Sequence, residues 1–291
     1  MKNVYQMVTD RIIEQLKNGV VPWLKPWKTS EEFAYNRVTK KPYSFLNQML
    51  LQHTGEYASF QQWKKLGGKI KKNEKSEIVV FWKWLKYKEI NKETNEEVVK
   101  EIHYLKYCNV FHITQVKGVK PLDNKKELIT NDDLLPIDKA DSIIRDYIER
   151  ENITFNNTKS DRAFYSPILD KVVVPALNQF DNANEYYSTL FHECIHSTGH
   201  KSRLNRLNDN KSSAFGSKTY SKEELVAEIG SSFIMNLLGI ETDTSFNNSV
   251  SYIDSWLSVL ENDNKFIVSA STKAEKAVHY ILNDNNDNLV K

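Results

Sequence analysis

The stretch Phe191-His192-Glu193-Cys194-Ile195-His196 decides how this 291-residue chain is read. It matches the pattern H-E-x-x-H. On a helix the two histidines stand one turn apart and can reach one cation, while the glutamate between them points toward water on that cation. The neighbouring residues support a helix. Tyr187, Leu190, Phe191, Cys194 and Ile195 form an apolar stripe, which leaves His192, Glu193 and His196 together on the other face. That context argues against the bland alternative of two solvated histidines on a surface helix. Cys194 turns into the core with the stripe and reads as packing, not as a ligand or nucleophile.

A catalytic zinc held by three protein groups needs one more donor. The metzincin extension of the pattern requires a histidine at position 202, where this chain has Ser202. Downstream, Ser221-Lys222-Glu223-Glu224-Leu225-Val226-Ala227-Glu228 opens a second helical pattern, whose carboxylates Glu224 and Glu228 lie four residues apart on one face. Spacing alone does not choose between them, because Ser221-x-x-Glu224 is also a capping box. H-E-x-x-H followed by E-x-x-A-[DE] resembles the gluzincin arrangement. That resemblance implies Glu224 as third ligand and Glu228 as the carboxylate that orients a ligating histidine. His200 reads as a structural or substrate-facing residue. A bound Zn2+, or another divalent metal, lowers the pKa of its water toward about 7, and Glu193 is the candidate general base for hydrolysis, most simply of a peptide bond.

Outward from this motif, the chain divides by charge. Residues 1–130 hold 24 Lys+Arg against 14 Asp+Glu, and residues 131–291 hold 16 against 24. The length suggests two domains, and a basic half joined to an acidic half is the asymmetry expected when one part meets a polyanion. The expected boundaries are 1–125, a polar linker at 126–138, and 139–291. The first part reads as α+β: a helical stripe over 3–18, helices near Ser44 and over 59–66, and β-rich runs at 78–82 and 98–113 flanking a polar connection at 91–95. The second reads as mainly helical with a small sheet at 163–165 and 172–175. The fold class is therefore α+β throughout. Apolar runs fall far short of a membrane span, the N-terminus lacks the pattern of a secretory signal, and Cys108 and Cys194 form no disulfide scaffold. A cytoplasmic protein without a membrane partner is expected, and its oligomeric state is left open.

Five of the six tryptophans, Trp23, Trp27, Trp63, Trp82 and Trp84, fall in the basic half among lysines. Aromatic faces stack on unpaired bases while lysines follow phosphates. Trp63, Lys64, Lys71, Lys72 and Trp82 are the candidate DNA contacts. The same composition also fits core aromatics beside a solvated lysine face.

Read in order, Pro42-Tyr43-Ser44-Phe45-Leu46-Asn47, Phe60-Gln61-Gln62-Trp63, Leu66-Gly67-Gly68, Lys72-Asn73-Glu74-Lys75, residues 79–83 and residues 107–115 resemble the N-terminal domain of ArdC-type antirestriction proteins. Residues 163–167, Tyr186-Tyr187, the H-E-x-x-H, Ser202-Arg203-Leu204-Asn205-Arg206, Phe215-Gly216 and residues 223–228 resemble that family's zincin-like domain. The resemblance implies an N-terminal single-stranded-DNA-binding domain joined to a metallopeptidase-like domain. It also implies a protein of plasmids and other mobile elements that protects incoming DNA from host restriction during conjugation. Ser44 stands where the family pattern has Gly, and Asn73 occupies a turn position suited to left-handed backbone. Two other readings stay open: a DNA-localised metalloprotease acting mainly on a peptide or protein substrate, and a binding protein with a structural metal.

Overall fold

The computed structural model describes residues 3–24, 33–90, 96–122, 136–207, 218–240 and 253–284. Trp27, residues 91–95, Phe215, Gly216 and most of the expected linker lie outside them. The described residues form two compact units. The first covers 3–7 and 33–121, the second 8–24, 122 and 136–284. The division differs from the 1–125 expectation near the N-terminus. Helix α1 (Val4–Lys17) buries Val8, Ile12 and Leu16 as its periodicity predicts, but this stretch belongs to the second unit, where the Thr9 hydroxyl donates to Asn264 O at 2.8 Å. Trp23 follows it there and packs edge-on against Trp256, ring centroids 5.0 Å apart.

The first unit is built on a four-stranded sheet of order β1-β2-β5-β4: β1 (Tyr35–Asn36), β2 (Glu56–Ser59), β4 (Glu77–Ile90) and β5 (Glu97–His112). Strands β1 and β2 run parallel and the other pairs antiparallel. Short strands β3 (Lys69–Ile70) and β6 (Val116–Lys117) form a separate pair. Helix α2 (Phe45–Leu50) is tied on by side-chain amides that act as strand surrogates. Asn47 donates to Val80 O and accepts from Val80 N at 2.8 and 2.7 Å, and Gln48 makes the same exchange with Ala34. Ser44 is the N-cap of α2 without making a side-chain cap bond. Helix α3 (Phe60–Lys65) starts from a capping box of Ser59 and Gln62. It stops at Gly67, which has φ +82°, and Gly68, where a Cβ would lie 2.7 Å from Val116 Cγ1. Asn73 takes the left-handed backbone expected of it, at φ 68°.

The β4–β5 pairing runs without a bulge from Glu77 opposite Val110 to Ile90 opposite Glu97. It is much longer than the apolar run 78–82 suggested. At its root one face joins Val79 and Val110 to a core of Ala34, Leu51 and Tyr57. Farther out, side chains on both faces reach solvent and the strands form a two-stranded ribbon.

The second unit sets helices against a three-stranded sheet of order β7-β9-β8: β7 (Thr154–Thr158), β8 (Phe164–Ser166) and β9 (Lys171–Pro175). Helix α5 (Ala183–Ser197) packs on β8 and β9, and α4 (Pro136–Glu151) packs on α5. Asn182 caps α5 by accepting from Glu185 N at 2.9 Å. Every member of the predicted stripe, Tyr187, Leu190, Phe191, Cys194 and Ile195, is buried. Helix α6 (Lys218–Leu237) lies against α5, and α7 (Ile253–Asn262) and α8 (Phe266–Ile281) pack behind it. One residue sets the α5–α6 approach: a Cβ on Gly230 would fall 2.7 Å from Ile195 Cδ1. Because α6 begins at Lys218, Ser221 lies inside it, so the capping-box reading of Ser221 and Glu224 is corrected. Among the described residues, no helix is long and apolar enough to cross a membrane.

Candidate metal centre

Helix α5 presents His192 and His196 one turn apart, and α6 brings Glu224 across to both. His192 Nε2 and His196 Nε2 are 3.1 Å apart; His192 Nε2 lies 3.4 Å from Glu224 Oε2, and His196 Nε2 lies 3.4 Å from Glu224 Oε1. Tetrahedral zinc with bonds of about 2.0–2.2 Å separates its donors by about 3.3–3.6 Å. The two histidine nitrogens, at 3.1 Å, are slightly closer than that, and each faces a different Glu224 oxygen, so the three side chains converge on a space of about the size one such ion occupies. His192, His196 and Glu224 are also the only group of three such side chains, among the described residues, whose donor atoms converge within 4.8 Å.

The far sides of the imidazoles face further carboxylates. His192 Nδ1 is 3.9 Å from Glu228, and His196 Nδ1 is 3.7 Å from Glu223. Glu223 is held in turn by Arg206, whose guanidinium donates to it at 2.7 Å, to Thr198 Oγ1 at 2.6 Å and to Ile195 O at 2.8 Å. Glu193 is buried beside the pair. With both histidines neutral, the carboxylates of Glu193, Glu223, Glu224 and Glu228 outnumber Arg206, the guanidinium bonded to this group among the described residues, a balance that favours a cation.

Titration behaviour reflects that excess of negative charge. Burial works to depress His196, but interactions with Glu223 and Glu224 outweigh it and push it up to about 10. His192 is raised by Glu224 against the same burial. Burial favours the neutral form of Glu224, yet contacts with His192 and His196 hold it well below the usual carboxylate range. Glu228 is pushed up, chiefly by burial, and Glu223 is pulled down by His196 and Arg206 against burial.

The loop after α5 carries a second polar network. Arg203 donates to Ser197 O at 2.7 Å and to both oxygens of Asp170, and the Tyr165 hydroxyl donates to Asp170 at 2.7 Å. His200 stands beside it, with Nδ1 2.7 Å from Ser202 Oγ and 3.9 Å from Asp170, apart from the His192, His196 and Glu224 cluster. The sequence reading did not assign roles to Glu223, Arg206, Arg203 or Asp170. The signal available was an adjacent pair of glutamates and two arginines inside one short motif.

The DNA-contact candidates fall on three separate elements. Trp63 is corrected: its ring is wholly buried and its Nε1 donates to Phe111 O at 2.9 Å, so it offers no face to a base. Lys64 and Lys72 are exposed, the Lys71 ammonium donates to Thr114 O, and half-buried Trp82 meets Tyr5 and His103 edge-on.

Residues 2–111 match the N-terminal domain of anti-restriction factor ArdC, and residues 142–273 match a zincin-like metallopeptidase domain. The ArdC protein of plasmid R388 has the same fold over its whole length. Its metal-free crystal structure is 32% identical, with a TM-score of 0.75 over 100% of both chains. Its Mn(II)-bound structure is 31% identical, with a TM-score of 0.74 over 97% of this chain and 98% of that one.

The chain belongs to the ArdC antirestriction family.

Two Escherichia coli proteins named DNA primase TraC are 33% and 31% identical over 97% of this chain, which spans only 20% and 27% of their lengths. A Sinorhizobium fredii protein, y4eC, is 28% identical over 96% of this chain and 91% of its own length. Within this ArdC-family chain the α+β N-terminal domain is followed by the zincin-like domain that holds the His192, His196 and Glu224 cluster.

Proposed function

We propose that this chain is an antirestriction protein of mobile elements. In this reading it binds single-stranded DNA, carries Zn2+ at His192, His196 and Glu224, and protects incoming DNA from host restriction in the cytoplasm. The observation that carries the metal reading is the convergence of His192, His196 and Glu224, one donor atom from each lying within 4.8 Å of the others. Two imidazoles and one carboxylate are a donor set that suits zinc. The Mn(II)-bound ArdC of R388 supports a divalent ion at the corresponding fold.

An ion held by His192, His196 and Glu224 would supply Lewis acidity toward a carbonyl and a water acidified toward a pKa of about 7. Glu193, buried and next in sequence to His192, is the group that would take a proton from that water as general base. Glu228 and Glu223 hold His192 and His196 with Nε2 directed inward, and Arg206 keeps Glu223 ionised and in place. The reaction is hydrolysis of an amide bond in a peptide or protein substrate.

The test is transfer of plasmid DNA into a restricting recipient, with wild type compared with Glu193→Ala. The proposal expects the variant to keep its fold and metal but lose hydrolysis and protection. Full protection by the variant would remove the hydrolytic step and leave a binding protein whose metal is structural.

A further inference from the structure

In the β4–β5 ribbon, side chains alternate between two faces that differ in charge and cover. The unbroken register puts Phe81 opposite Lys106, Lys83 opposite Tyr104, Leu85 opposite Ile102, Tyr87 opposite Lys100 and Glu89 opposite Val98 on one face. All ten are exposed, including Phe81 at 46% and Tyr104 at 37%. The one acid, Glu89, pairs with Lys100 at 2.6 Å, which leaves Lys83 and Lys106 as uncompensated charge on this face.

The opposite face is built differently. Its Lys86 and Lys88 are matched by Glu101 and Glu97, Leu105 is buried, and half-buried Trp82 meets Tyr5 edge-on, although Trp84 and Tyr107 are open to solvent there. Open rings occur on both faces, and only the first combines them with net positive charge. Soluble proteins rarely expose so many large apolar side chains together without a partner. A protein-docking surface would not require lysines alternating with the rings, whereas unpaired nucleotides supply a π-face and a phosphate at every step.

We propose that the face of Phe81, Lys83, Tyr87, Tyr104 and Lys106 is the stacking platform for single-stranded DNA. The inference rests on the single-strand reading of Proposed function and gives it a surface. Phe81 and Tyr104 stack successive bases, and Lys83 and Lys106 meet the flanking phosphates.

The test is fluorescence anisotropy of the full chain with a labelled oligothymidylate and its duplex, over a salt series. Phe81→Ala/Tyr104→Ala weakens single-strand binding by at least about fivefold per ring, while Phe81→Tyr/Tyr104→Phe retains it. Lys83→Gln/Lys106→Gln lowers the slope of log K against log salt by about 1.4, at about 0.7 per phosphate. Trp84→Ala, on the opposite face, leaves binding unchanged. Because all these side chains are exposed, thermal melts stay near wild type. Wild-type affinity in both double variants, with wild type itself binding, overturns the platform alone. Failure of wild type to prefer the single strand overturns the DNA reading beneath it.

Discussion

Gly230→Ala tests whether the close approach of α6 to α5 is what assembles the candidate metal centre. The new Cβ would stand 2.7, 3.0 and 3.2 Å from Cδ1, Cγ1 and Cγ2 of Ile195, where ordinary contact needs about 3.5–4.0 Å. Three atoms of one fully buried side chain are crowded at once, so no single rotation relieves them. Alanine in a helix interior is favoured over glycine by about 0.5–1 kcal/mol, whereas overpacking a filled core costs about 1–3 kcal/mol. Overpacking wins by about 1 kcal/mol, which lowers Tm by about 2–4 °C for a unit of this size. The larger effect falls on the ion. Glu224 and Glu228 lie on the same helix, so backing α6 away by even a few tenths of an ångström lengthens the two contacts of Glu224, each now 3.4 Å, to His192 and His196. Affinity for Zn2+ in a chelator competition drops about tenfold or more. Ile195→Val removes the nearest atom and partly restores both melting and affinity in the double variant. A Gly230→Ala protein that melts higher than wild type and binds Zn2+ equally well would refute the role assigned to this contact.

Arg206→Ala removes the guanidinium bonded to half-buried Glu223, which keeps His196 beside it, and costs about 1–3 kcal/mol in urea unfolding. Arg206→Lys recovers only part of it, because one ammonium cannot reach Thr198, Ile195 and Glu223 together. Asp170→Asn probes the network behind His200. Burial opposes ionisation of Asp170, but Arg203 and Tyr165 hold its pKa below the ordinary 3.8. Its stabilisation is therefore present above about pH 4 and is lost as pH falls through the folded value. The Tm difference between wild type and Asp170→Asn is largest near neutrality and closes in acid; a gap that widens in acid would contradict the assignment.

The helix of His192 and His196 was legible because its apolar stripe and polar face follow one period, and the structure buries the stripe as expected. Glu223 and Arg206 were not, since their roles arise only where α6 and the loop after α5 meet. Strands β4 and β5 outran their apolar cores because cross-strand ion pairs, Lys86 with Glu101, Lys88 with Glu97 and Lys100 with Glu89, support a polar ribbon that periodicity does not mark. Tryptophan counts pointed to Trp63, yet its size suits it to the core. Phe81, Tyr87 and Tyr104 are exposed on one face of the ribbon and Trp84 and Tyr107 on the other, a division that the alternation of a strand identifies once the register is known. Helix α1 was predicted from its stripe, but the unit receiving that stripe is a tertiary matter that periodicity leaves open.

The most direct test of the account is the metal content of purified wild type, Glu224→Ala and Glu228→Ala, measured together after equilibration with Zn2+. The account predicts one ion per chain in wild type, loss in Glu224→Ala, and retention in Glu228→Ala with affinity reduced about 10–100-fold. Wild type without a bound ion, or Glu224→Ala binding as tightly as wild type, would contradict it.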